Sequence, residues 1–233
     1  MSKRTVRRIE EPDLDTVVDV HMAAFPDSLV CRLGHEAVVR QYRWLLYGPH
    51  TDAFGLVAEV DGEAAGTYLG GVYNGATTGY IQANLGFLAG SMARRPSLLF
   101  SEDYRAKART GLRLLKRQIR TPRRLAPAST VVASEQATSA PAVPSGDGTI
   151  FGHLVLGVHP RFQRRGIARS LMEEADHIVD RLGYRKTQLR VVPNNEAIIK
   201  LHESRGYVRQ VTGERAWDGM MVRTPLDPDA EHP

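Results

Sequence analysis

Residues Leu154 to Met172 read Leu-Val-Leu-Gly-Val-His-Pro-Arg-Phe-Gln-Arg-Arg-Gly-Ile-Ala-Arg-Ser-Leu-Met, and the rest of the 233-residue chain can be placed around them. The first five residues are mostly β-branched or aliphatic, which predicts a strand. Pro160 ends that strand because it has no N–H for the ladder. After a short polar turn, apolar residues recur at helical spacing, so a helix is predicted to begin near Arg165.

The tight turn from this strand into this helix predicts a site for a phosphate or pyrophosphate group. The first N–H groups of a helix have no partner within it, and they carry partial positive charge. Gly166 allows close approach, Ala168 keeps the next turn small, and three cations are nearby: Arg164, Arg165 and Arg169. The alternative is an ordinary corner with a solvated basic face. The dinucleotide fingerprint and the Walker loop do not fit, because their other required residues are missing.

The segment resembles the acyl-CoA pyrophosphate loop of the GNAT acyltransferase superfamily, whose signature is Gln/Arg-x-x-Gly-x-Gly/Ala after a strand ending near Val-x-Pro. Here the signature reads Val158-His159-Pro160 and then Gln163-Arg164-Arg165-Gly166-Ile167-Ala168. The resemblance implies acetyl-CoA or another acyl-CoA as cosubstrate, and no metal. The cofactor-binding residues implied are Val158, Arg164, Arg165, Gly166, Ile167, Ala168 and Arg169.

A second segment, from Val192 to Tyr207, resembles the other motif of the same family, which reads Asn-x-x-Ala-Ile-x-Leu-Tyr-Glu-x-x-Gly-Phe. The family Asn falls on Asn195, and the family Tyr falls on His202. The Ala-Ile pair is replaced by Ile198-Ile199. The resemblance implies that Asn195 contacts the cofactor arm and that His202 stands where many relatives carry a general acid.

The order of the other predicted elements also resembles this family. An early strand precedes two helices, and two strands then meet at an Asp61-Gly62-Glu63 hairpin turn. The resemblance implies an α/β (α+β) fold with a mixed, twisted central sheet, flanked by helices and splayed after the fourth strand. We expect one domain over residues 1–225, a helical and flexible insert over 83–148 before the fourth strand, and a frayed tail over 226–233.

The predicted insert contains an amphipathic helix with a strongly basic face. Its apolar residues are Tyr104, Ala108, Leu112, Leu115 and Ile119. Such a helix can lie on an anionic membrane or bind RNA, and the alternative is a helix packed on the domain with its basic face in water. No aromatic residues alternate with its cations, so the pattern does not favour nucleic-acid binding.

Composition narrows the class of protein. The net charge of +5 is modest and suits an anionic cofactor. Cys31 is the only cysteine, which excludes an intramolecular disulfide and a cysteine metal cluster. The sequence shows no signal-peptide core and no long apolar run, so we expect a cytoplasmic protein without a transmembrane segment. A homodimer is left open.

The reaction implied by the resemblance is acyl transfer from acyl-CoA to an amine by direct attack. A backbone N–H near Val158 is the expected donor to the developing oxyanion. His202 is a candidate general acid as an imidazolium, or else a surface histidine. His153 is a candidate base acting through water, or else a packed strand histidine, with Glu59 and His21 as weaker candidates. Strict alternation would put His153 on the same face as Val155 and Gly157.

Three functions compete at this point. The first is N-acetyltransfer to a small-molecule primary amine. The second is acylation of a protein or an aminoacyl-RNA, with the basic insert helix as docking surface. The third is a non-catalytic CoA-binding module. The early helices and loops, which line the acceptor groove in the family, contain no diagnostic motif for the acceptor.

Overall fold

The computed structural model describes residues 3–95, 150–211 and 216–224. The first part contains β1 (Arg4–Arg8), α1 (Leu14–Ala24), α2 (Leu29–Leu33), α3 (His35–Tyr47), β2 (Thr51–Val60), β3 (Glu63–Val72), α4 (Ala76–Ala83) and α5 (Leu85–Ala93). The later parts contain β4 (Ile150–Val158), α6 (Ile167–Arg181), β5 (Lys186–Arg190), α7 (Glu196–Glu203), β6 (Val208–Arg209) and β7 (Met220–Arg223).

One mixed sheet contains these seven strands, in the order β1-β2-β3-β4-β5-β7-β6. Neighbouring strands are antiparallel, except that β4 and β5 run parallel. A parallel pair needs a crossover connection, and α6 supplies it. The predicted mixed sheet flanked by helices is therefore confirmed.

The hairpin of β2 and β3 turns where the sequence predicted. Asp61 and Gly62 have φ angles of 53° and 85°, the two left-handed positions that a two-residue hairpin turn requires. Asp tolerates this conformation better than most residues, and Gly adopts it freely. The local sequence thus determines the register next to the turn, where Val60 pairs with Glu63, and the register shifts beyond Glu59.

Helices cover both faces of the sheet. On one face α6 packs against β2, β3 and β4, and on the other α1 packs against β3 and β4 while α3 packs against β2. The α6 contact is close, since a Cβ added at Gly66 would lie 2.7 Å from Ile167 and 2.9 Å from Leu171. Burial of these apolar faces supplies the main stabilising term of the domain.

Some predicted elements differ from the structure. Helices α2 and α4 were not predicted, because five and eight residues are too short for a clear helical period. Most of the predicted insert, including its basic helix, lies outside the described residues, as does the tail over 226–233. Within the described parts, no helix is both long and apolar enough to span a membrane.

The sheet splays between β4 and β5, as the family resemblance implied. Pairing of the two strands runs from Ile150 opposite Lys186 to His153 opposite Leu189 and then stops. The second half of β4, residues 154–158, continues alongside β3 alone. His153 therefore stands at the point where the two strands separate, which we call the vertex of the splay.

A β-bulge in β4 corrects the predicted faces of the strand. Leu69 pairs with Val155 and Gly70 pairs with His153, so Leu154 is an extra residue. Strict alternation fails at this point. His153 shares the α6 face with Phe151, whereas Val155 and Gly157 face α1. The prediction that His153 shares a face with Val155 and Gly157 is therefore wrong.

Candidate functional site

The segment between β4 and α6 has an unusual backbone. We call residues 163–169 the entry loop. Arg164 and Gly166 have φ angles of 60° and 77°. Apart from glycines, only Asp52 and Asp61 share this left-handed region with Arg164 among the described residues. Arginine gains nothing locally from this conformation, which costs on the order of 1 kcal/mol and tends to occur at functional sites.

The N-terminus of α6 leaves its N–H groups unused. The first hydrogen bond within the helix runs from Ser170 N to Gly166 O at 3.0 Å, and no side chain caps the helix at Gly166. Among the described residues, no hydrogen bond is made by the N–H groups of Ile167, Ala168 or Arg169. Unpaired N–H groups beside left-handed residues form a concavity suited to a phosphate.

The side chains of the entry loop complete this end of the site. Arg164, Arg165 and Arg169 are exposed, and the Arg165 guanidinium lies 5.5 Å from the centre of the Phe162 ring. The Ile167 side chain is buried in the core, so only its backbone is available to a ligand. The residues present therefore fit the predicted pyrophosphate group.

The open edge of β4 exposes backbone groups toward the splay. His159 N donates to Ala65 O at 2.9 Å, so by alternation the backbone groups of Val158 and Leu156 point away from β3. Gln163 Nε2 donates to Val158 O at 3.3 Å on that side. The Val158 carbonyl is thus engaged by the entry loop, and its N–H remains directed toward the splay.

Asn195 stands at the same edge of the sheet as the entry loop. Because β4 and β5 are parallel, the helices that follow them both begin at that edge. Asn195 Oδ1 accepts from Ile198 N at 3.3 Å and caps α7. The sequence predicted a helix cap at Asn194 or Asn195, and the structure places it at Asn195.

A group of buried polar side chains lies at the vertex of the splay. We call Tyr68, His153, Asp176, His202 and Tyr207 the vertex cluster. Tyr68 Oη lies 2.6 Å from His153 Nδ1, and Tyr207 Oη lies 2.6 Å from His153 Nε2. Tyr207 Oη also donates to Asp176 Oδ1 at 3.2 Å. All five side chains are less than a tenth exposed.

The series of hydrogen bonds from Tyr68 through His153 and Tyr207 to Asp176 can run in only one donor-to-acceptor direction. Burial lowers the pKa of His153 to about 3, so the imidazole is neutral at pH 7 and has one donor and one acceptor nitrogen. The Asp176 carboxylate can only accept, so Tyr207 donates to it and in turn accepts from His153 Nε2. His153 Nδ1 then accepts from Tyr68. Both ring nitrogens of His153 are therefore occupied by tyrosine hydroxyls.

Asp176 is held by two arginines. Arg205 Nε lies 2.6 Å from Asp176 Oδ2, and Arg223 Nη2 lies 3.4 Å from Asp176 Oδ1. Arg223 also pairs with Asp180 at 2.8 Å. These contacts tie α6 to the segment after α7 and to β7, so the cluster joins the two sides of the splay.

His202 differs from His153 in its hydrogen bonding. It is 3% exposed, its ring centre lies 5.4 Å from that of Tyr207, and its Nδ1 has no partner among the described residues. Burial, with a smaller contribution from His153, lowers its pKa to about 3. A pKa this low does not agree with the imidazolium expected at neutral pH. The alternative of a surface histidine is wrong as well.

The weaker candidates lie elsewhere. Glu59 pairs with Arg7 at 2.7 Å, away from the vertex. His21 Nδ1 lies 3.1 Å from Tyr42 Oη on the α1 face, and burial lowers its pKa to about 4. Cys31 is buried, and burial raises the pKa of its thiol. No group of His, Cys, Asp and Glu in the described ranges could hold a metal ion.

Sequence reasoning missed the partners of the two histidines. Tyr68 and Asp176 were not predicted as site residues, and Tyr207 was only part of a motif. One signal was available: Asp176 follows Met172 by four residues and precedes Val179 by three, so it falls on the apolar stripe of α6. A carboxylate on such a stripe must be paired when buried.

Comparison with known protein families identifies a match to part of this chain. A model of the Acetyltransferase (GNAT) family matches residues 138–207, which include β4, the entry loop, α6, β5 and α7. Among curated proteins, no sequence matches this chain. The family match thus covers both motifs and the vertex cluster apart from Tyr68.

Solved structures show the same fold over nearly the whole chain. The PaiA N-acetyltransferase from Thermoplasma acidophilum, in complex with coenzyme A, is 12% identical with a TM-score of 0.51, covering 95% of this chain and 99% of that one. The ribosomal-protein-S18-alanine N-acetyltransferase from Escherichia coli is 12% identical with a TM-score of 0.52, covering 99% of both chains. An aminoglycoside N-acetyltransferase in complex with CoA is 14% identical with a TM-score of 0.50, covering 93% of this chain and 96% of that one.

At these identities the structural similarities establish the fold, and the family model connects it to the two motifs. The splayed mixed sheet, the uncapped helix after β4 and the match over residues 138–207 agree with one another. Residues 138–207 therefore match the GNAT acetyltransferase family, and the chain has the fold of solved N-acetyltransferases.

Proposed function

We propose that this protein is an N-acetyltransferase that transfers the acetyl group of acetyl-CoA to the primary amine of a small molecule. One observation carries the proposal: the uncapped N-terminus of α6 directly follows the strand that separates from β5. An anionic cofactor can bind its phosphates at the helix and extend along the open strand edge toward the vertex.

Each predicted cofactor residue has a role in this proposal. The N–H groups from Gly166 to Arg169 hold the pyrophosphate, and the entry-loop arginines balance its charge. The backbone N–H of Val158 faces the splay, where the cofactor arm would lie. Asn195 caps α7 with its side-chain oxygen and can still offer its amide N–H groups to the cofactor arm.

The reacting end lies at the vertex in this proposal. The amine nitrogen bonds to the thioester carbon as the C–S bond breaks, and the proton lost by the amine goes to the departing thiolate. We propose His202 as the residue at the reacting end, because it occupies the position where many relatives carry a general acid and its buried Nδ1 has no partner among the described residues. His153 is engaged at both nitrogens, so we assign it the positioning of Tyr207 and Tyr68.

The acceptor side of β4 supports a small acceptor. A Cβ added at Gly157 would lie 2.9 Å from the Phe25 ring and 3.4 Å from Ala24, so the end of α1 closes over this face. A face covered in this way accommodates a small molecule more readily than a folded protein surface. We also propose a cytoplasmic location, in keeping with the buried free thiol of Cys31.

The first test is acetyl-CoA binding by calorimetry, with two matched glycine variants. Gly166 and Gly183 stand at opposite ends of α6 with φ angles of 77° and 79°. Gly166→Glu and Gly183→Glu therefore carry the same backbone strain, but only the first places negative charge in the phosphate site. We expect the wild type to bind in the micromolar range, Gly166→Glu to bind about 100-fold more weakly, and Gly183→Glu to bind as the wild type does.

Two results would overturn the cofactor assignment: no binding by the wild type, or equal weakening by both variants. The acceptor is tested next with a panel of small amines and amino-terminal peptides. Turnover is measured as the release of the CoA thiol. Turnover on small amines is expected. Turnover on peptides alone would contradict the small-molecule acceptor and indicate that the acceptor is a protein. Binding of acetyl-CoA without turnover on any amine would indicate a non-catalytic CoA-binding module.

A further inference from the structure

Arg4 reaches the entry loop from the other end of the chain. It is the first residue of β1, and its Nη2 donates to the carbonyl oxygen of Arg165 at 2.6 Å. The two residues are 161 positions apart in sequence. The guanidinium also lies alongside Gly166, since Nη1 is 3.4 Å from where a Cβ would stand. This side chain therefore fixes the peptide unit that opens α6.

The direction of this hydrogen bond has a consequence for the next N–H group. The described chain contains no cis peptide bond, and in a trans peptide the C=O and N–H point in opposite directions. Arg4 holds the Arg165 carbonyl on its own side, so the Gly166 N–H of the same peptide points away from Arg4. That direction adds the Gly166 N–H to the group of unpaired donors at the helix N-terminus.

Arg4 also differs from Arg7 and Arg161 in its charge balance. Arg7 on the same strand pairs with Asp13 and Glu59, and Arg161 pairs with Glu63. Among the described residues, no carboxylate lies within ion-pair distance of Arg4. Its positive charge is therefore not neutralised locally and contributes to the potential at the entry loop.

We propose that Arg4 is a positioning residue of the phosphate site, which orients the Gly166 N–H toward the pyrophosphate of CoA and adds one positive charge. This inference rests on the proposed function. Neither motif in the sequence includes Arg4, because the contact exists only once β1 is placed beside the entry loop.

The test compares three variants by calorimetry with CoA. Arg4→Met removes the donor and the charge, Arg4→Lys keeps the charge without the planar fork, and Arg8→Met is the control. Arg8 stands at the other end of β1, with its guanidinium 5.0 Å from the centre of the Phe54 ring. We expect CoA affinity to fall about tenfold in Arg4→Met, to fall about threefold in Arg4→Lys, and to stay within about twofold of the wild type in Arg8→Met.

A second ligand separates positioning from general loosening of the structure. Pantetheine lacks the pyrophosphate, and its binding can be followed by ligand-observed NMR even when it is weak. We expect the pantetheine affinity and the unfolding midpoint without ligand to be the same in Arg4→Met and the wild type. A parallel loss of pantetheine binding, or an equal loss of CoA binding in Arg8→Met, would overturn the inference.

The outcomes also separate this inference from the proposed function. If the wild type does not bind CoA, the proposed function fails and the Arg4 role fails with it. If the wild type binds CoA and Arg4→Met binds it equally well, only the Arg4 role is overturned. If Arg4→Lys equals the wild type while Arg4→Met is weakened, charge alone acts and the positioning role is overturned.

Discussion

The entry loop and the vertex cluster lie at the two ends of the splay and differ in the hydrogen bonding of their polar groups. At the entry loop, the N–H groups of Ile167 to Arg169 have no hydrogen-bond partner among the described residues, and the nearby arginines are exposed. At the vertex, Tyr68, His153, Tyr207 and Asp176 bond one another out of contact with water.

This contrast separates binding from stability. Groups that the protein leaves unpaired near its surface are available to a ligand and contribute little to folding. Groups that are buried must be paired, because an unpaired buried polar atom costs about 1–3 kcal/mol. Changes at the entry loop should therefore weaken acetyl-CoA binding at constant stability, and changes at the vertex should lower the stability first. His202 Nδ1 is the exception that the proposed function uses.

The largest expected effect is acid sensitivity of the buried histidines, two of which lie at the vertex. The pKa of His153 and of His202 is about 3 in the folded chain, against 6.5 for an unperturbed histidine, and that of His21 is about 4. Below pH 6.5 the unfolded chain takes up protons that the folded chain does not, so stability is full above that pH and falls as the pH decreases. Lowering the pH from 7 to 5 should cost about 2 kcal/mol per buried histidine.

Urea denaturation at pH 7 and pH 5 measures this loss. His153→Gln should reduce the difference in unfolding free energy between the two pH values by about 2 kcal/mol, since one of the buried histidines that titrate is removed. The control His177→Gln replaces an exposed histidine and should leave the difference unchanged. A free energy of unfolding that does not change between pH 7 and pH 5 would contradict this account of the vertex.

The next effect concerns Asp176, which faces two partly buried arginines. Asp176→Asn leaves Arg205 and Arg223 without this carboxylate and should lower the free energy of unfolding by about 3–5 kcal/mol. Asp180→Asn removes a half-exposed carboxylate one turn later and should cost about 0–1 kcal/mol. Urea denaturation midpoints of the two variants measure this difference. Equal losses of stability in the two variants would contradict a buried network around Asp176.

A smaller effect separates two buried tyrosine hydroxyls. Tyr207→Phe removes the partner of His153 Nε2 and of Asp176 and should cost about 2 kcal/mol. Tyr73→Phe is the matched control, because the Tyr73 hydroxyl is buried and has no partner among the described residues. Its removal should be neutral or stabilising in thermal unfolding. A greater loss in Tyr73→Phe than in Tyr207→Phe would break the distinction between paired and unpaired groups.

The smallest expected effect tests whether Asn195 belongs to both regions. Asn195→Ala removes the cap of α7 and should cost about 1 kcal/mol of stability, whereas Asn195→Asp retains the capping oxygen. Asn195→Asp lacks the amide donors, so its acetyl-CoA affinity should fall about threefold at unchanged stability. Calorimetry of the two variants beside their melting curves checks this, and unchanged affinity in Asn195→Asp would limit Asn195 to capping.

Local patterns predicted much of the fold. The Asp61-Gly62 turn, the strand before Pro160 and the helix after Gly166 follow from backbone preferences within a few residues. The entry loop was predicted as a phosphate site for the same reason, since the unpaired N–H groups belong to one short segment. The short helices α2 and α4 were missed, because packing on the domain stabilises them and their own periodicity does not indicate them.

The β-bulge at Leu154 shows where local reasoning ends. Alternation along an isolated strand placed His153 on the same face as Val155 and Gly157, and pairing with β3 inserted one residue and placed it on the opposite, α6 face. The same pairing brought His153 between two tyrosines whose sequence positions, Tyr68 and Tyr207, are 139 residues apart. No local pattern contains that information.

The sequence by itself determined the strand–turn–helix units, the two motifs and the family they indicate, because these depend on residues within one turn or one strand of each other. Tertiary structure alone decided the protonation of His202, the engagement of His153 at both nitrogens and the contact of Arg4 with Arg165. Burial and long-range hydrogen bonds set these properties, and both arise only when distant segments pack together.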